Sequence, residues 1–452
     1  MASNDLLNKY NIPVPRYTSY PTVPYWNESI AINEWVDTFK HQFQDTNASK
    51  GISLYIHLPF CESLCTYCGC NKKITQNHSV ELVYINAVLK EWKMYLSLMS
   101  QVPVIKELHL GGGTPTFFSP ENLEYLITTI LSDCFIPAKH DFSVEGHPNN
   151  TTREHLEMFY KLGFRRISYG VQDNDPEVQH IINRIQPFEN VKHVTELARA
   201  IGFTSINFDL IYGLPLQSIE KMERTVLQTI SLRPDRIAFY SYAHVPWVSR
   251  GQRLFDELDL PNADLKLKLY QSGKKLFIEN GYHDIGMDHF ALITDDLYKA
   301  SVKGLVHRNF MGYTTHTTEV LLGLGVSAIS DTGNSYAQNE KTIHNYYQKL
   351  NQNKLPVIKG YFLTEEDKAF KKYILDLICR GQTLLLEANI KSLTKFTYPK
   401  IEELVNDGLV EWMDNSINIT SAGKSYLRNI CSAFDLHLLQ YNKSEKTFSS
   451  AI

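Results

Sequence analysis

Short apolar runs alternate with helix-length amphipathic segments through the middle of the chain. The apolar runs are SLYIHL (53–58), IKELHL (105–110), DFSVEG (141–146), RRISYGV (165–171), TSINFDLIYG (204–213) and DRIAFYSY (235–242). The helical candidates between them cover about 80–99, 120–132, 151–162, 187–201 and 219–232. Six βα units in succession predict parallel strands covered by helices. We therefore expect an α/β fold with a partial (β/α)6 barrel that resembles the TIM barrel.

The regions on either side of this repeat have different patterns. Residues 1–50 begin irregularly, with several prolines, and then predict a helix from about Ile32 to Phe43, so we expect an N-terminal extension or lid. The βα rhythm loosens after about residue 250, and we assign 51–362 to the barrel and its extension. Residues 363–452 start with a Thr cap followed by acidic residues, which predicts a helix. A small hairpin is predicted at NDGLVEWMDNSINIT (406–420), which gives a C-terminal helical, winged-helix-like domain.

Composition excludes several classes of protein. Hydrophobic residues make up 43% of the 452 residues and charged residues 21%, which is typical of a globular protein. A net charge of −4 argues against nonspecific binding to nucleic acid and against a polybasic membrane contact. The sequence contains neither a secretion signal nor an apolar stretch of membrane-spanning length. We expect a soluble, cytoplasmic monomer.

Residues capable of chemistry follow directly after several predicted strands. They include the stretches 57–70, 111–116 and 145–148 and the individual residues Asp209 and Gln172. In a parallel barrel the active site lies at the carboxyl ends of the strands. The pattern therefore predicts one site that is assembled from these separate stretches.

Four of the seven cysteines lie within ten residues, at Cys61, Cys65, Cys68 and Cys70. An odd, clustered set does not resemble a disulfide framework and indicates metal or redox chemistry. Three thiolates in the spacing C-x-x-x-C-x-x-C suit a [4Fe–4S] cluster that keeps one iron open for another ligand. The spacing alone leaves zinc and a redox thiol as alternatives, although no second C-x-x-C pair is present for a zinc ribbon.

This cysteine spacing, after the first strand of a barrel, resembles the radical S-adenosylmethionine (radical SAM) superfamily. Further motifs are similar to those of the oxygen-independent coproporphyrinogen III oxidase (dehydrogenase) family. They are YIHLPFCESLCTYCGCNK (55–72), RYTSYPT (16–22), LHLGGGTPT (108–116), GVQD (170–173), NFDLIYGLP (207–215), YAH (242–244), GMDHFA (286–291), HRNFMGYTT (307–315) and LLGLGVSAIS (321–330). The similarity extends from about Lys9 to the C-terminal helices.

The resemblance implies an activity and its partners. The family converts two propionate side chains of coproporphyrinogen III to vinyl groups through 5′-deoxyadenosyl radicals, giving protoporphyrinogen IX in haem biosynthesis. It uses one [4Fe–4S] cluster, two molecules of S-adenosyl-L-methionine per turnover and a reduced flavodoxin or ferredoxin-type electron donor. A haem chaperone and an anaerobic haem-degrading radical SAM methyltransferase are alternatives on the same barrel. Cys70 and RYTSYPT argue against the chaperone, whose members usually lack both.

The resemblance also implies roles for individual residues. The cluster ligands would be Cys61, Cys65 and Cys68, while Cys70 would act in catalysis without binding iron. The first S-adenosylmethionine site would include Tyr55, Gly112, Gly113, Thr114 and Glu145. The second or shared site would include Tyr67, Gln172, Arg184, Asp209, Ala243 and Ile329. Without the resemblance, the glycine triplet reads as a tight turn, Glu145 as a surface carboxylate and Arg184 as a solvated helix residue.

Two stretches depart from the family pattern. Gly146-His147 replaces a usual Val-Asp after Glu145, and Asn174 replaces a usual aromatic residue after GVQD. Both would lie near the mouth of the barrel, so we expect them to alter contacts with the substrate. Arg16, Tyr17, Thr18, Ser19 and Tyr20 would supply a cation, two phenols and two hydroxyls for propionate groups from a segment that closes over this mouth. The alternative is that this segment only packs as an irregular strap on the outside of the barrel.

Overall fold

A twelve-stranded sheet that curls into a partial barrel forms the centre of the computed structural model, which describes residues 3–440 and 448–451. Apart from the short parallel pair Phe60–Cys61 with Lys73–Ile74, the strands are β1 Ile52–Leu58, β2 Ile105–Gly112, β3 Asp141–Gly146, β4 Arg166–Gln172, β5 Ser205–Tyr212, β6 Arg236–Ser241, β7 Tyr282–Gly286, β8 His289–Leu292, β9 His307–Asn309, β10 Gly312–Thr314, β11 Val320–Leu324, β12 Ile329–Asp331, β13 Ser335–Asn339, β14 Val357–Phe362, β15 Gln382–Leu384, β16 Val410–Met413 and β17 Ser416–Ile419. The order in the large sheet is β14-β13-β12-β11-β1-β2-β3-β4-β5-β6-β8-β7.

The six predicted βα units are confirmed. Strands β1 to β6 pair in parallel with their neighbours along the sheet, and their buried residues form one continuous core with the helices outside. The helices are α1 Ser3–Tyr10, α2 Ile32–Lys50, α3 Val80–Leu96, α4 Pro120–Leu131, α5 Arg153–Lys161, α6 Pro176–Ile181, α7 Phe188–Ile201, α8 Ile219–Ser231, α9 Ala263–Glu279, α10 Asp296–Val302, α11 Ile343–Asn351, α12 Glu365–Arg380, α13 Ile390–Ser392, α14 Tyr398–Asn406, α15 Leu427–Ser432 and α16 Leu436–Gln440.

Local sequence explains where several of these helices begin. The hydroxyl of Ser119 accepts a hydrogen bond from the amide of Asn122 at the start of α4, and Pro120 occupies the first helical position. Thr152 caps α5 in the same way, through a reciprocal pair of hydrogen bonds with His155. These caps end the loops that follow β2 and β3, which are the loops that carry site residues.

Six further strands, most of them antiparallel to their neighbours, extend the barrel sheet on both sides. The sequence pattern did not predict them. Strand β11 pairs in parallel with β1 and continues through β12, β13 and β14. On the other side, β8 pairs with β6 and β7 completes the sheet. A separate two-stranded hairpin, β9 with β10, contributes residues to the interior of the barrel.

The N-terminal segment packs against the C-terminal helices in a second core. The Tyr17 hydroxyl donates a hydrogen bond to Asp435 at 3.0 Å, and the Tyr20 hydroxyl accepts one from the amide of Leu436 at 3.2 Å. Both phenols are almost fully buried. The expectation that Tyr17 and Tyr20 face the substrate is therefore wrong, because both are engaged inside the protein; among Arg16, Tyr17 and Tyr20, only Arg16 is partly exposed.

The C-terminal region contains the predicted hairpin, formed by β16 and β17, and β15 adds a third strand to it. The large sheet ends at Phe362 and α12 begins at Glu365. Buried residues of 1–50 and of 363–452 pack together in one core. The division of the chain into 1–50, 51–362 and 363–452 stays a prediction. Within the described residues, no helix combines the length and the apolar character needed to cross a bilayer.

Candidate active site

The carboxyl ends of the parallel strands surround a cavity of about 440 Å³, which we call the cysteine cavity. This volume lies within the range of roughly 300–1,000 Å³ that is usual for ligand pockets. Its lining includes the predicted residues Cys61, Cys65, Tyr67, Cys68, Cys70, Gly112, Gly113, Thr114, Glu145, Gln172, Arg184 and Asp209. Residues that are up to 148 positions apart in the chain therefore meet in one place, as the barrel topology predicts.

The loop after β1 presents its thiols to this cavity. Thr114 donates a hydrogen bond to the sulfur of Cys61 at 3.3 Å, and Arg184 donates one to the sulfur of Cys65 at 3.5 Å. A hydrogen bond from the thiol of Cys70 lowers the pKa of Cys68. Burial raises the pKa of Cys61 to about 11, although the Thr114 hydroxyl opposes this effect. Hydrogen-bond donors therefore surround sulfurs that would otherwise be unfavourable to ionise.

The glycine turn after β2 lies directly against this loop. Gly112 has a φ of +119°, and a Cβ there would lie 2.7 Å from the ring of His57. A Cβ on Gly113 would lie 2.6 Å from the carbonyl group of Pro59. Only glycine allows this close approach of two backbone segments. The turn thereby places the backbone of Gly112 and Gly113 in the cavity lining beside the thiols.

Glu145 connects the glycine turn to the interior of the barrel. Its carboxylate accepts a hydrogen bond from the amide of Gly112 at 3.0 Å and lies 3.4 Å from Nε2 of His109. Burial tends to raise the pKa of Glu145, but the hydrogen bond and charge of His109 and the Gly112 amide outweigh it and lower the pKa. The side chain is 44% exposed toward the cavity. It is an ionised carboxylate that is available to a cationic ligand.

Arg184 forms the opposite side of the cavity. Its Nη2 donates to the carbonyl of Gly170 at 2.6 Å, next to Gln172, which adopts a positive φ of 66°. Its Nε is buried without a partner among the described residues. Burial raises the pKa of the neighbouring Tyr67 phenol, and Arg184 partly opposes that shift. The Nε–H of Arg184 therefore remains as a hydrogen-bond donor for an anionic ligand in the cysteine cavity.

Asp209 lies where the cysteine cavity meets a second cavity inside the barrel. Asp209 accepts hydrogen bonds from Ser168 at 3.1 Å and from Asn207 at 2.8 Å. Burial and the nearby Glu145 raise the pKa of Asp209 to about 6. Glu145, Ser168 and Asp209 line both cavities. We call the second one the barrel cavity; its lining also includes Arg166, Arg236, Tyr240, His289, Met311, Gly312 and Tyr313.

Tyr55 is held beneath the glycine turn by two histidines to which the sequence analysis gave no role. Its hydroxyl lies 3.0 Å from Nδ1 of His57, and its ring stacks on that of His109. Nε2 of His57 lies 2.9 Å from the carbonyl of Asn71, and burial lowers the pKa of this imidazole. The available signal was the alternation of polar residues along buried strands, since every second residue of a barrel strand faces the interior.

Comparison with known proteins places this geometry in context. The sequence profile of the radical SAM superfamily matches residues 55–228. Oxygen-independent coproporphyrinogen III oxidase of Pseudomonas aeruginosa is 37% identical over 97% of this chain and 96% of its own length. The enzyme of that name from Escherichia coli K12 is 36% identical over 99% of this chain and 98% of its own length. The crystal structure of coproporphyrinogen III oxidase (HemN) from E. coli, a radical SAM enzyme, is similar with a TM-score of 0.86 at 35% identity, covering 93% of this chain and 97% of that one.

The chain belongs to the oxygen-independent coproporphyrinogen III oxidase family.

The cofactors of this family are a [4Fe–4S] cluster and S-adenosylmethionine, and the residues present fit both. Three thiols on one loop line one cavity, which suits a cluster that binds its ligands through different irons. Within 3–440 and 448–451, no three His, Cys, Asp or Glu side chains converge as ligands of a single metal ion would. The unpartnered Nε of Arg184 and the exposed carboxylate of Glu145 suit the carboxylate and the ammonium group of S-adenosylmethionine.

Three residues carried over from the oxygen-independent coproporphyrinogen III oxidase family are not in the lining of the cysteine cavity: Tyr55, described above, and Ala243 and Ile329. The carbonyl of Ala243 accepts a hydrogen bond from Gln252, whose amide also donates to the carbonyl of Tyr67, so Ala243 lies one residue from the cavity. Ile329 packs with an apolar cluster around Trp26, and its backbone lies against Gly323 on the strand beside β1. A contact of either residue with a ligand would be made by its backbone.

The departures from the family pattern have different surroundings. His147 lines the cysteine cavity, and burial and the charge of Arg184 lower its pKa to about 2, so this imidazole is neutral. A Cβ at Gly146 would lie 3.1 Å from the ring of Tyr169, so glycine leaves room for that ring. Both polar atoms of the Asn174 amide are buried without a partner in the part of the chain that the structure describes. Nothing in the structure explains why asparagine replaces the usual aromatic residue there.

Proposed function

We infer that this chain is an oxidoreductase that converts coproporphyrinogen III to protoporphyrinogen IX without oxygen. The observation that carries this inference is the similarity to enzymes of this name over 97% of the chain, well beyond the 55–228 shared with radical SAM enzymes in general. For each of two propionates, the side chain –CH₂–CH₂–COO⁻ loses a hydrogen atom from its β carbon, CO₂ and one electron to become –CH=CH₂. When bound, the cluster and S-adenosylmethionine supply the 5′-deoxyadenosyl radical that accepts the hydrogen atom.

Cys61, Cys65 and Cys68 would hold the cluster. Thr114 and Arg184 support this assignment, because each donates a hydrogen bond to one of these sulfurs and so favours the thiolate. Cys70 would remain a thiol on the substrate side. It is exposed toward the cysteine cavity and follows Cys68 by two residues in the sequence. Its thiol forms a hydrogen bond with the sulfur of Cys68.

The glycine turn and Glu145 would bind the first S-adenosylmethionine. The backbone of Gly112 and Gly113 can approach the methionine end of the ligand closely, because neither residue has a side chain to obstruct it, while their amides already donate to Glu145 and to the carbonyl of Leu58. Glu145 would pair with the ammonium group, and the amide of Gly112 orients its carboxylate. Thr114 and Tyr55 would complete this site, the latter from the strand beneath the turn.

The second or shared site would be formed around Arg184 and Asp209. Arg184 would bind a carboxylate through its free Nε, while Tyr67 and Gln172 lie on the same wall. Asp209 faces the junction of the two cavities, where a propionate and the ligand would meet. Ala243 and Ile329 would contribute backbone contacts.

The remaining assignments concern the setting of the reaction. We propose that a reduced protein of the flavodoxin or ferredoxin type supplies the electron, and that the chain is a cytoplasmic monomer. The exposed residues Glu62 and Ser63 between the first two cysteines support an approach of the donor to this loop, because they leave its surface open to solvent. A tetrapyrrole would enter by the same face, since Glu62 and Ser63 also line the cysteine cavity.

Product analysis under anaerobic conditions tests this function. Protein reconstituted with iron and sulfide is incubated with S-adenosylmethionine, a reductant, an electron acceptor and coproporphyrinogen III, and the porphyrins are separated after oxidation. We expect protoporphyrin from the wild type and none from Cys61→Ala. Tight binding of haem without any product would support the chaperone class instead, and opening of haem would support the methyltransferase class.

A further inference from the structure

Among the residues that the structure describes, Arg308 is a buried cation without a counter-ion. It lies at the centre of β9 and is only 6% exposed. Its Nε and Nη1 are both enclosed and make no hydrogen bond to any part of the chain that the structure describes. A guanidinium stays charged at all physiological pH values, so its charge cannot be removed by loss of a proton. An unpaired buried charge is unfavourable and is seldom kept without a role.

The other arginines near the barrel cavity have partners. Arg166 pairs with Asp141, and Arg236 donates to Asp295 at 2.8 Å. Asp288, whose carboxyl group feels the charge of Arg308, is instead paired with Arg16 at 3.5 Å. Arg308 has only a ring beneath it, that of Tyr313, at 4.8 Å from the guanidinium carbon to the ring centroid. Such stacking occupies the flat face of the guanidinium and leaves the N–H groups at its edge available.

The hairpin that carries Arg308 also forms part of the wall of the barrel cavity. Strand β9 pairs with β10 so that Arg308 lies opposite Tyr313, and Met311, Gly312 and Tyr313 line the cavity. Tyr240 and His289 line it as well, and the charge of Arg308 acts on both. His289 is neutral there, because burial and Arg308 lower its pKa to about 3. The positive charge near this wall therefore comes from arginine.

A second guanidinium lies at the same wall. Arg16 is placed over the ring of Tyr240 at 5.4 Å and contacts the carbonyl of Ser241. Asp288 balances Arg16, whereas no carboxylate among the described residues pairs with Arg308. Arg308 is therefore the cation at this wall whose charge the described residues leave unpaired. That arrangement suits one incoming carboxylate.

We propose that Arg308 binds a propionate carboxylate of the tetrapyrrole while another propionate of the same molecule extends into the cysteine cavity. The proposal rests on the proposed function, because that substrate carries four carboxylates. Glu145, Ser168 and Asp209 line both cavities, so the two adjoin at these residues, and Arg308 lies against the lining of the barrel cavity through the ring of Tyr313. The fork of N–H groups on arginine matches a carboxylate, which makes Arg308 a determinant of substrate recognition and not of radical chemistry.

Binding of an unreactive ligand to variants of the full-length protein tests this role. The probes are coproporphyrin III, which keeps the four propionates, and its tetra-amide, which has the same shape without the charges. The variants are Arg308→Gln, Arg308→Lys and, as a control for loss of one positive charge, Arg153→Gln on the exposed surface of α5. Dissociation constants come from porphyrin fluorescence, and melting temperatures are measured on the same samples.

We expect Arg308→Gln to weaken binding of coproporphyrin III by about 10- to 100-fold, as for loss of a charged hydrogen bond. Binding of the tetra-amide should change less than twofold, and the KM for coproporphyrinogen III should rise more than kcat falls. Arg308→Lys should lie between the wild type and Arg308→Gln, and Arg153→Gln should match the wild type. The Arg308→Gln protein should melt no lower than the wild type, because it loses an uncompensated charge.

Two results would overturn the proposal. Unchanged binding of coproporphyrin III to Arg308→Gln would mean that solvent satisfies the guanidinium. Equal weakening of the acid and the amide would mean that Arg308 only packs against Tyr313. If Arg308→Gln does not fold, equal binding of the acid by Arg308→Lys and the wild type refutes it. If the wild type converts coproporphyrinogen III and Arg308→Gln has the same KM as the wild type, only this inference is refuted. If the wild type neither binds nor converts coproporphyrinogen III, the proposed function is refuted as well.

Discussion

Replacing Gly113 by alanine should separate the glycine turn from the cysteine loop. The Cβ of alanine would lie 2.6 Å from the carbonyl carbon and oxygen of Pro59 and 2.9 Å from the carbonyl oxygen of Phe60. These are backbone atoms two residues or fewer from Cys61, so no flexible side chain can move aside. The same segments are joined by hydrogen bonds from the Gly113 amide to Leu58 and from the Thr114 amide to Phe60.

The size of the effect follows from these distances. An ordinary contact of about 3.4 Å requires the two segments to move apart by about 0.8 Å. Overpacking of this kind costs about 1–3 kcal/mol of folding free energy, so the chain should still fold. A displacement close to 1 Å between reacting groups can lower a rate by about 100-fold. We therefore expect Gly113→Ala to fold, to bind S-adenosylmethionine more weakly and to lose about 100-fold in kcat/KM.

The assay compares Gly113→Ala with Gly69→Ala. Gly69 lies in the cysteine loop between Cys68 and Cys70, yet a Cβ there would have no atom within 4 Å. Iron content, S-adenosylmethionine affinity, product formation and melting temperature are measured on both, and Gly69→Ala should stay within about twofold of the wild type. Wild-type activity in Gly113→Ala, or an equal loss in the two variants, would refute the steric argument.

Four further variants test individual assignments. Cys70→Ser should keep the iron content and lose most product, whereas Cys68→Ala should lose iron; loss of iron from both would make Cys70 a ligand. Glu145→Gln should weaken S-adenosylmethionine binding by about 10-fold, because a charged hydrogen bond to the ammonium group is lost; unchanged affinity by calorimetry would contradict that role. Asp209 has a pKa of about 6 against an ordinary 3.8, so the native protein holds a proton that the unfolded chain releases. Stability should therefore fall as the pH rises from about 4 to about 6, and denaturant titrations of Asp209→Asn should show a smaller fall.

The barrel could be predicted from sequence because its signals are local. Each βα unit combines an apolar strand, a loop and a capped helix within about 50 residues, and Ser119 and Thr152 mark two of the helix starts. The cysteines and the glycine triplet are also contiguous motifs, so their place at the strand ends followed from topology. The assignment of α2 was short by seven residues, since the helix continues from Phe43 to Lys50 through mostly polar residues that an apolar pattern does not mark.

The remaining features depend on contacts between distant parts of the chain. Strand β11 pairs with β1 although nearly 270 positions separate them, so a glycine-containing run was read as a motif and not as a strand. Tyr17 was expected to face the substrate, but its partner is Asp435, 418 positions away. The roles of His57 and His109 depend on which face of a strand points into the barrel. The lack of a hydrogen-bond partner for Nε and Nη1 of Arg308 among the described residues is visible only in the three-dimensional structure.

The stoichiometry of one reaction tests the central claim most directly. Anaerobic, reconstituted protein is given coproporphyrinogen III with labelled carboxyl carbons, and CO₂, 5′-deoxyadenosine and protoporphyrinogen IX are quantified together. We predict that two molecules of CO₂ and two of 5′-deoxyadenosine form for each protoporphyrinogen IX. The Cys61→Ala variant should release no CO₂. Formation of 5′-deoxyadenosine without release of CO₂ from this substrate would contradict the account.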